Sequence, residues 1–520
     1  MKQANQLALS FANDLTAIKQ AKSLSECTVD TDDDEIHVQT TGASLTELYE
    51  SLRKASQNSE ENLQLTHAIK RFIERFFVVD SASKLKRPGN MLVTELTMTG
   101  YIANDSIKQS LADHISDIIK QGVILKNRLA KNYSRHQIDR WVIRPLAARI
   151  ESLLRDHSKD QALINLAFNY FLNAIDIEQV AGSRPATYEA TLYMAVQKAL
   201  LGSEEDAIRL SLMDRYGVTA ARYTDYARFN MQIDEAIESK LLDTLTRIVN
   251  RNGAVFRVIN SASQSDDAFD QHLLTEKTFL GPFDAAIKRN YVDAANQVNR
   301  GILRSVIFLI ITKFIIGIAA EVPYDLLIHD RVMWLPLAVN LLLPPLYMIL
   351  LRLTLVMPDN RNTKALTREA SRILYQAPAK RPFITGYKHH FSKVYNFIYL
   401  LVIAGTFTGI GWLLMHFAHF EWIHLIIFFV FISTASFLGF RLSRAIRKIE
   451  VGDEAQTTAS ILRDFIYMPF VAVGQKISET YSRVNIVSRA IDMFIELPLR
   501  TILGFMRRWG SFMSAQRDDL

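Results

Sequence analysis

The sequence predicts an all-α membrane protein, with a large helical cytoplasmic domain followed by a four-helix transmembrane unit and C-terminal amphipathic helices. Four long apolar runs lie in the second half of the chain, and between residues 63 and 300 apolar side chains recur every three to four positions. No β-turn rhythm of glycines interrupts that helical pattern. The expected domains are a loosely structured segment 1–62, a helical soluble domain with a stalk helix 63–300, a membrane domain 301–440, and membrane-proximal amphipathic helices 441–520.

Four segments are long and apolar enough to be transmembrane helices. A spanning helix needs about 20 mostly apolar residues, because lipid offers the backbone no hydrogen-bond partners. The third and fourth segments contain no Asp, Glu, Lys or Arg. The predicted spans are 301–320, 332–357, 397–417 and 422–440.

Proline and glycine positions predict where these helices begin or break. Gly281-Pro282 is expected to open the stalk helix, because proline is favoured in the first helical turn. That helix is expected to run into the first span, with Gly301 as the alternative point of interruption. Pro344-Pro345 lies in the middle of the second span, so we expect that helix to be bent or broken.

The distribution of basic residues predicts the orientation. The connection 358–396 between spans two and three carries eight Lys/Arg, whereas the connections on the other side carry one and none. Basic loops stay in the cytoplasm. Both termini are therefore predicted to be cytoplasmic, in a multi-pass protein of a prokaryotic plasma membrane. The chain has one cysteine, so no intramolecular disulfide and no Cys-based metal site is expected.

The same basic residues predict the partners. They flank the apolar runs, a pattern that favours anionic lipid headgroups rather than nucleic acid. A homo-oligomer and a protein partner of the cytoplasmic domain are further predicted partners. The segments expected to contact headgroups are 361–393, 441–448 and 500–508.

Polar residues within the spans are the first candidate site. An ionisable side chain inside a membrane is a functional hypothesis by default. Lys313 is placed deep in the first span, and the sequence alone puts Glu321 two turns away, too far for direct pairing unless the second span folds in. The alternatives are structural pairing, snorkelling of Lys313 towards the interface, and burial of Lys313 against another helix. The candidates are Lys313, Glu321, Asp325 and Asn340.

A second candidate site is a cluster of imidazole and carboxylate groups at the turn between spans three and four. These groups are suitable ligands for zinc, copper or nickel. The competing interpretation is that polar residues collect at a membrane interface because they reach water there. The metal candidates are His416, His419, Glu421 and His424.

Small residues at intervals of four predict close packing between spans three and four. Gly405 and Gly409 form a GxxxG motif in span three, and Ala435 and Gly439 repeat that spacing in span four. Such faces let helix backbones approach closely in lipid. The sequence therefore predicts that these two faces meet.

Three functions remain open at this stage. The sequence contains no P-loop, GxGxxG, HExxH, GxSxG or paired CxxC motif, so no catalytic residue and no cofactor is predicted, and a non-enzymatic role is favoured. The first hypothesis is a membrane-anchored scaffold or adaptor. The second is an oligomeric channel or transporter for an ion or small solute, and the third is a membrane-embedded metalloenzyme.

Overall fold

The all-α prediction is confirmed, since the part of the chain that the structure describes contains helices and no β-strand. The structure is a computed structural model. It describes residues 2–27, 36, 61–78, 87–219, 222–355, 357–376, 393–451 and 467–478. The predicted headgroup segment 500–508 and most of the N-terminal segment beyond residue 27 lie outside these ranges.

The described residues fall into two compact units. The first, here called the span unit, is formed by those within Met1–Leu9, Asn173–Asp176 and Asn250–Ile486. The second, here called the helical unit, is formed by those within Ser10–Leu172, Ile177–Val249 and Val487–Leu520. The division falls near residue 250, whereas the sequence predicted a domain boundary at residue 300.

The helical unit is built mainly from the first twelve helices. A π-helical turn, Asp139–Ile143, lies between α5 and α6. The helices are α1 (Gln6–Cys27), α2 (Glu61–Val78), α3 (Pro88–Met98), α4 (Gln109–Leu129), α5 (Arg135–Ile138), α6 (Arg144–Leu154), α7 (Ser158–Ala174), α8 (Ile177–Ala181), α9 (Tyr188–Leu200), α10 (Glu205–Arg215), α11 (Tyr223–Ile237) and α12 (Lys240–Asn252).

The span unit contains the remaining helices. A second π-helical turn, Gly317–Glu321, follows α15, and a helical stretch is also present at 467–478. The helices are α13 (Ala254–Ser265), α14 (Phe269–His272), α15 (Glu276–Ile316), α16 (Val322–His329), α17 (Trp334–Thr354), α18 (Asn360–Tyr375), α19 (Lys393–Ala418) and α20 (Trp422–Arg447).

Two segments are more helical than the sequence predicted. The N-terminal segment was expected to be loosely structured, but Gln6–Cys27 is a helix that buries Phe11 and Leu15. The connection between spans two and three was predicted as a basic loop, but Asn360–Tyr375 within it is a helix. Asp359 starts that helix by accepting hydrogen bonds from two backbone amides of its first turn.

Within the described residues, four helices are long and apolar enough to cross a membrane, and we call them the span helices. Each of the four predicted spans falls on one of them. Spans one, two and four pack against one another, whereas span three contacts span four over a much smaller surface. Their bounds are Glu276–His329, Trp334–Leu353, Phe397–Ala418 and Trp422–Arg447.

Span one is the upper part of one long helix. The long helix begins at Glu276 and is continuous through Gly301. A Cβ atom added at Gly301 would collide with the side chain of Leu442. Pro282 therefore lies inside the helix, and the prediction that it opens the helix is wrong. The helical turn that contains Pro282 lies in the core, where the rings of Phe279 and Phe283 stack with their centroids 4.9 Å apart.

The second span is also continuous. The helix Trp334–Thr354 includes both Pro344 and Pro345, so it is not broken there. Each proline nevertheless lacks a backbone N–H, which removes the helical hydrogen bond to the carbonyl four residues earlier. For Pro344 that carbonyl belongs to Asn340.

The helical unit has a core and a buried polar network of its own. Arg209 is 0% exposed and pairs with Asp234, and its guanidinium also donates to the side-chain oxygen of Asn230 at 2.8 Å. Asp234 in addition accepts hydrogen bonds from Arg140 at 2.7 Å and from the indole N–H of Trp141 at 2.8 Å. Both carboxylate oxygens of Asp234 are therefore bound by side-chain donors of this unit.

Candidate functional site

Five polar residues from three of the span helices meet in the interior of the span unit, and we call them the polar cluster. Each is at most 2% exposed. All four intramembrane candidates that the sequence singled out belong to it, together with a histidine that the sequence assigned to the metal candidates. The polar cluster consists of Lys313, Glu321, Asp325, Asn340 and His424.

Lys313 and Glu321 form a buried ion pair, with Lys313 Nζ 2.5 Å from Glu321 Oε1. The expectation that these residues lie too far apart along one helix for direct pairing is wrong. A π-helical turn, Gly317–Glu321, separates them and changes the angular position of Glu321 relative to a regular α-helix. The Lys313 ammonium also lies 4.9 Å from the ring centroid of Phe431, so it does not snorkel to solvent.

Asn340 joins the ion pair to span four. Its amide nitrogen donates to Glu321 Oε1 at 3.3 Å and to the backbone carbonyl of His424 at 3.2 Å. Because both neighbours are acceptors, the orientation of the amide follows from the hydrogen bonds. The amide thereby holds the Glu321 carboxylate beside the backbone of His424.

Asp325 and His424 form the second pair of the polar cluster. His424 Nε2 lies 3.2 Å from Asp325 Oδ1, within ion-pair range but without the angle of a hydrogen bond. The other carboxylate oxygen, Asp325 Oδ2, accepts a hydrogen bond from the backbone amide of Met333 at 2.8 Å. That bond ties the carboxylate to the connection that leads into span two.

Several atoms of the polar cluster have no hydrogen-bond partner among the described residues. They are buried, so each carries the cost of a polar group removed from water without compensation. Ser433 Oγ, further along span four, also has no hydrogen-bond partner among these residues. The atoms within the cluster are Glu321 Oε2, Asp325 Oδ1, Asn340 Oδ1 and both ring nitrogens of His424.

A second group of polar side chains links the two short connections, at what we call the hairpin end of the span unit. Glu421, just before span four, accepts a hydrogen bond from the hydroxyl of Tyr324 at 2.9 Å. Its other oxygen lies 2.9 Å from Nε2 of His329. The Tyr324 ring is 6.2 Å from that of His424, so this group lies next to the polar cluster.

The four predicted metal ligands are not brought together. His416 stacks on Trp412, with ring centroids 5.4 Å apart. His419 adopts a left-handed backbone, with φ of 54°, in the turn between spans three and four. Glu421 and His424 instead join Tyr324, His329 and Asp325 as described above. Among the described residues, no group of three or more His, Cys, Asp or Glu side chains is arranged to hold a metal ion.

The predicted glycine interface between spans three and four also differs. A Cβ atom at Gly405 or Gly409 would meet no described atom within 4 Å, so these glycines do not contact span four. At Gly439, by contrast, a Cβ atom would collide with Leu351 of span two. Ala435 is buried in the cluster of apolar side chains that includes Leu351. The small-residue face of span four therefore receives span two.

The helical stretch 467–478 packs against the middle of span four, which the sequence did not reveal. A Cβ atom at Gly474 would collide with the backbone carbonyl of Ser433, and the hydroxyl of Tyr467 donates to the carbonyl of Ser436 at 2.8 Å. Phe470 contacts Phe407 of span three, with ring centroids 5.0 Å apart.

Comparison of the chain with protein-family models, with curated proteins and with solved structures gives no match.

Proposed function

We propose that the protein is an ion channel or transporter of a cell membrane, and that the polar cluster lies on the path of the ion. The observation that supports this most is the burial of Lys313, Glu321, Asp325 and His424 among span helices, with polar atoms left without partners. Charged residues inside a bilayer are costly, and they are typical of ion pathways and proton relays. Among the hypotheses left open by the sequence, the geometry favours transport.

The unpartnered atoms distinguish this site from a purely structural clamp. A structural network gains stability when every donor and acceptor is bound, whereas a partly bound one is worse than an apolar core. Glu321 Oε2 and Asn340 Oδ1 are acceptors that an ion, a proton or a water molecule would satisfy. We infer that these atoms are satisfied when the transported species is bound.

Irregular helices next to the polar cluster support the same function. Transporters commonly place binding sites at interrupted helices, because freed backbone groups there can bind an ion. Here the π-helical turn Gly317–Glu321 adjoins Lys313, and Pro344 removes the helical partner of the Asn340 carbonyl. The short helical stretch 467–478 packs at mid-height of span four, as a re-entrant segment would.

The proposal also includes the orientation and partners of the protein. Both termini lie in the cytoplasm, in the plasma membrane of a prokaryote, and basic segments such as 441–448 lie at anionic headgroups. Four span helices rarely enclose a pathway alone, so the working form is a homo-oligomer. The hairpin end, with Glu421 and His329, then faces the outside.

The test is ion flux through the full-length protein in liposomes. Fluxes of H⁺, Na⁺, K⁺ and Cl⁻ are measured under an imposed gradient, with protein-free liposomes as the blank. We expect flux of at least one cation species above the blank. Glu321→Gln removes the carboxylate charge at nearly constant volume and should lower that flux at least tenfold.

The matched control is Arg304→Gln, which removes a charge from the same long helix outside the polar cluster. It should keep the flux of the unaltered protein. Absence of flux for every ion, with a folded protein verified by circular dichroism and a single oligomeric peak, would contradict the transport function.

The second candidate is a membrane-anchored scaffold or adaptor. The observation that favours it is the helical unit, which has a large apolar core around Trp141 and a buried polar network around Asp234. A rigid helical unit of this kind suits the binding of a protein partner. If no ion crosses the liposome membrane, the scaffold or adaptor function is favoured over transport. The polar cluster would then hold the span helices together.

A further inference from the structure

We propose that the transported ion is the proton, and that His424 relays it between Asp325 and Glu321. This inference rests on the transport function proposed above and narrows it to one species. It is supported by the contacts around His424 and by the Lys313 ammonium that is already present in the polar cluster.

The imidazole ring of His424 is placed to take up and release a proton. The ring is 0% exposed, and neither nitrogen has a hydrogen-bond partner among the described residues. Asp325 Oδ1 lies 3.2 Å from Nε2. A neutral imidazole carries a proton on one nitrogen and a lone pair on the other, so it can accept a proton at one side and release one at the other. Two unpartnered ring nitrogens in a buried site fit that use.

Polar and aromatic groups of spans one and two face His424. From span one these are the Asp325 carboxylate and the Tyr324 ring, and from span two it is the Asn340 amide, which binds the His424 carbonyl at 3.2 Å. The same amide binds Glu321 Oε1 at 3.3 Å. Asn340 therefore holds a second carboxylate, the one that pairs with Lys313, beside the backbone of His424.

The charge of the polar cluster and the chemistry of its ligands disfavour a metal cation. Lys313 Nζ lies 2.5 Å from Glu321 Oε1, so an ammonium already neutralises that carboxylate and would repel a second cation. Asp325 Oδ2 is bound by a backbone N–H, and Asn340 directs its NH₂ group into the cluster. Hard cations require a shell of oxygen ligands. Nitrogen donors occupy much of this site.

The relay conserves atoms and charge. A proton on Asp325 Oδ1 passes to the lone pair of Nε2, which leaves the Asp325 carboxylate and forms an imidazolium. The N–H at Nδ1 then breaks, and its proton passes to the Glu321 carboxylate directly or through water. Neutral His424 remains in its other tautomer, and Glu321 becomes a neutral acid whose attraction for the Lys313 ammonium is lost. Release of that proton restores the ion pair.

The hairpin end supplies the entry for protons. Glu421 is partly exposed and is bound by His329 and Tyr324, and Tyr324 contacts the His424 ring edge to face. A series of polar contacts therefore connects the partly exposed Glu421 to the buried Lys313, through Tyr324, His424, Asn340 and Glu321. This continuity is the juxtaposition on which the proposal depends.

The experiment measures H⁺ flux with a pH-sensitive dye inside liposomes, beside Na⁺ and K⁺ flux, for three forms of the full-length protein. His424→Gln keeps the size and polarity of the side chain but cannot be protonated. It should lower the H⁺ flux at least tenfold. His416→Gln changes a histidine near the end of span three that stacks on Trp412 and lies outside the polar cluster, and it should keep the flux.

The outcomes separate this inference from the transport function. H⁺ flux that is lost in His424→Gln and kept in His416→Gln supports the relay. Na⁺ or K⁺ flux without H⁺ flux, or H⁺ flux unchanged in His424→Gln, overturns the relay and leaves transport standing. No flux of any ion overturns both. If His424→Gln does not fold, Asp325→Asn serves instead, because its amide oxygen can still accept the Met333 hydrogen bond, and the same loss is expected.

Discussion

The helical unit and the span unit each bury charged side chains, but they satisfy them differently. In the helical unit, both oxygens of Asp234 are bound by side-chain donors, and Arg209 reaches Asp234 and Asn230. In the span unit, the polar cluster leaves one oxygen of Glu321 and both ring nitrogens of His424 without partners among the described residues. The Asp234 network also has unpartnered atoms, Nε of Arg140 and of Arg209, but these are N–H donors and its carboxylate is fully bound. The polar cluster instead leaves acceptor atoms unpartnered, which can bind a proton or a cation.

The largest effect on stability is expected from the helical unit. Asp234→Asn removes the carboxylate that Arg209, Arg140 and Trp141 share, and it places an NH₂ group among donors. Arg209 is then a buried charge without a counter-charge. We expect the free energy of unfolding of this unit to fall by about 3–5 kcal/mol. Thermal unfolding monitored by circular dichroism measures it.

The control for that prediction is Asp225→Asn, which removes an exposed carboxylate paired with Arg228 on the same helix. Its effect should stay within about 0.5 kcal/mol. Equal stability of Asp234→Asn and Asp225→Asn would mean that the Asp234 network does not hold the helical unit together.

The next effect concerns how the span helices pack. Gly474→Ala places a methyl group against the backbone carbonyl of Ser433, which cannot move as a side-chain end can. We expect a loss of about 1–3 kcal/mol in stability, because overpacking forces backbone shifts. Gly409→Ala, where a Cβ atom meets no described atom within 4 Å, is the matched control and should be nearly neutral. The midpoint of thermal unfolding in detergent compares the two.

The reverse order, with Gly409→Ala more destabilising than Gly474→Ala, would restore the predicted glycine interface of span three. It would also remove the support that the stretch 467–478 gives to the transport function.

The smallest effect is a pH dependence in the helical unit. Hydrogen bonds to Asp160 and Glu151 raise the pKa of His157 to about 10. A histidine whose pKa is raised by folding contributes stability that is complete below pH 6.5, its ordinary pKa, and is lost as the pH rises through about 10. His157→Gln should therefore flatten the decline in the thermal midpoint between pH 6.5 and 10. His136→Gln, at an exposed histidine of the same unit, should leave that decline unchanged.

The sequence predicted much of this molecule because helical periodicity and long apolar runs are local signals. Each predicted span lies on one span helix, and the sequence alone singles out Lys313, Glu321, Asp325 and Asn340. The signal for these four was their polarity within or beside apolar runs, which lipid makes exceptional.

The contacts between these residues were not predictable, because they depend on irregular geometry. A straight helix places Lys313 and Glu321 too far apart, and the π-helical turn between them has no clear sequence signal. His424 was grouped with its sequence neighbours, whereas its partner Asp325 is 99 positions earlier in the chain. GxxxG spacing indicates a small face but not which helix covers it, and Gly439 receives Leu351 of span two.

The Asp234 network was missed for a similar reason. Arg140, Arg209 and Asp234 belong to three segments that meet only in the folded unit. The available signal was the spacing of Tyr226, Asn230 and Asp234 at intervals of four, which places three polar groups on one helix face. Such spacing is common on exposed helices, and the sequence alone does not distinguish the two cases.

The central claim is that the polar cluster serves ion movement and the Asp234 network serves stability. The most direct test measures liposome flux and the thermal midpoint together for Glu321→Gln and Asp234→Asn, below both midpoints. We predict that Glu321→Gln loses at least nine tenths of the flux while the protein is still folded, beyond the fall in midpoint that the unpaired Lys313 ammonium causes. Asp234→Asn should keep the flux at temperatures below its lowered midpoint. Full flux in Glu321→Gln, or a loss confined to its thermal midpoint, would contradict the claim.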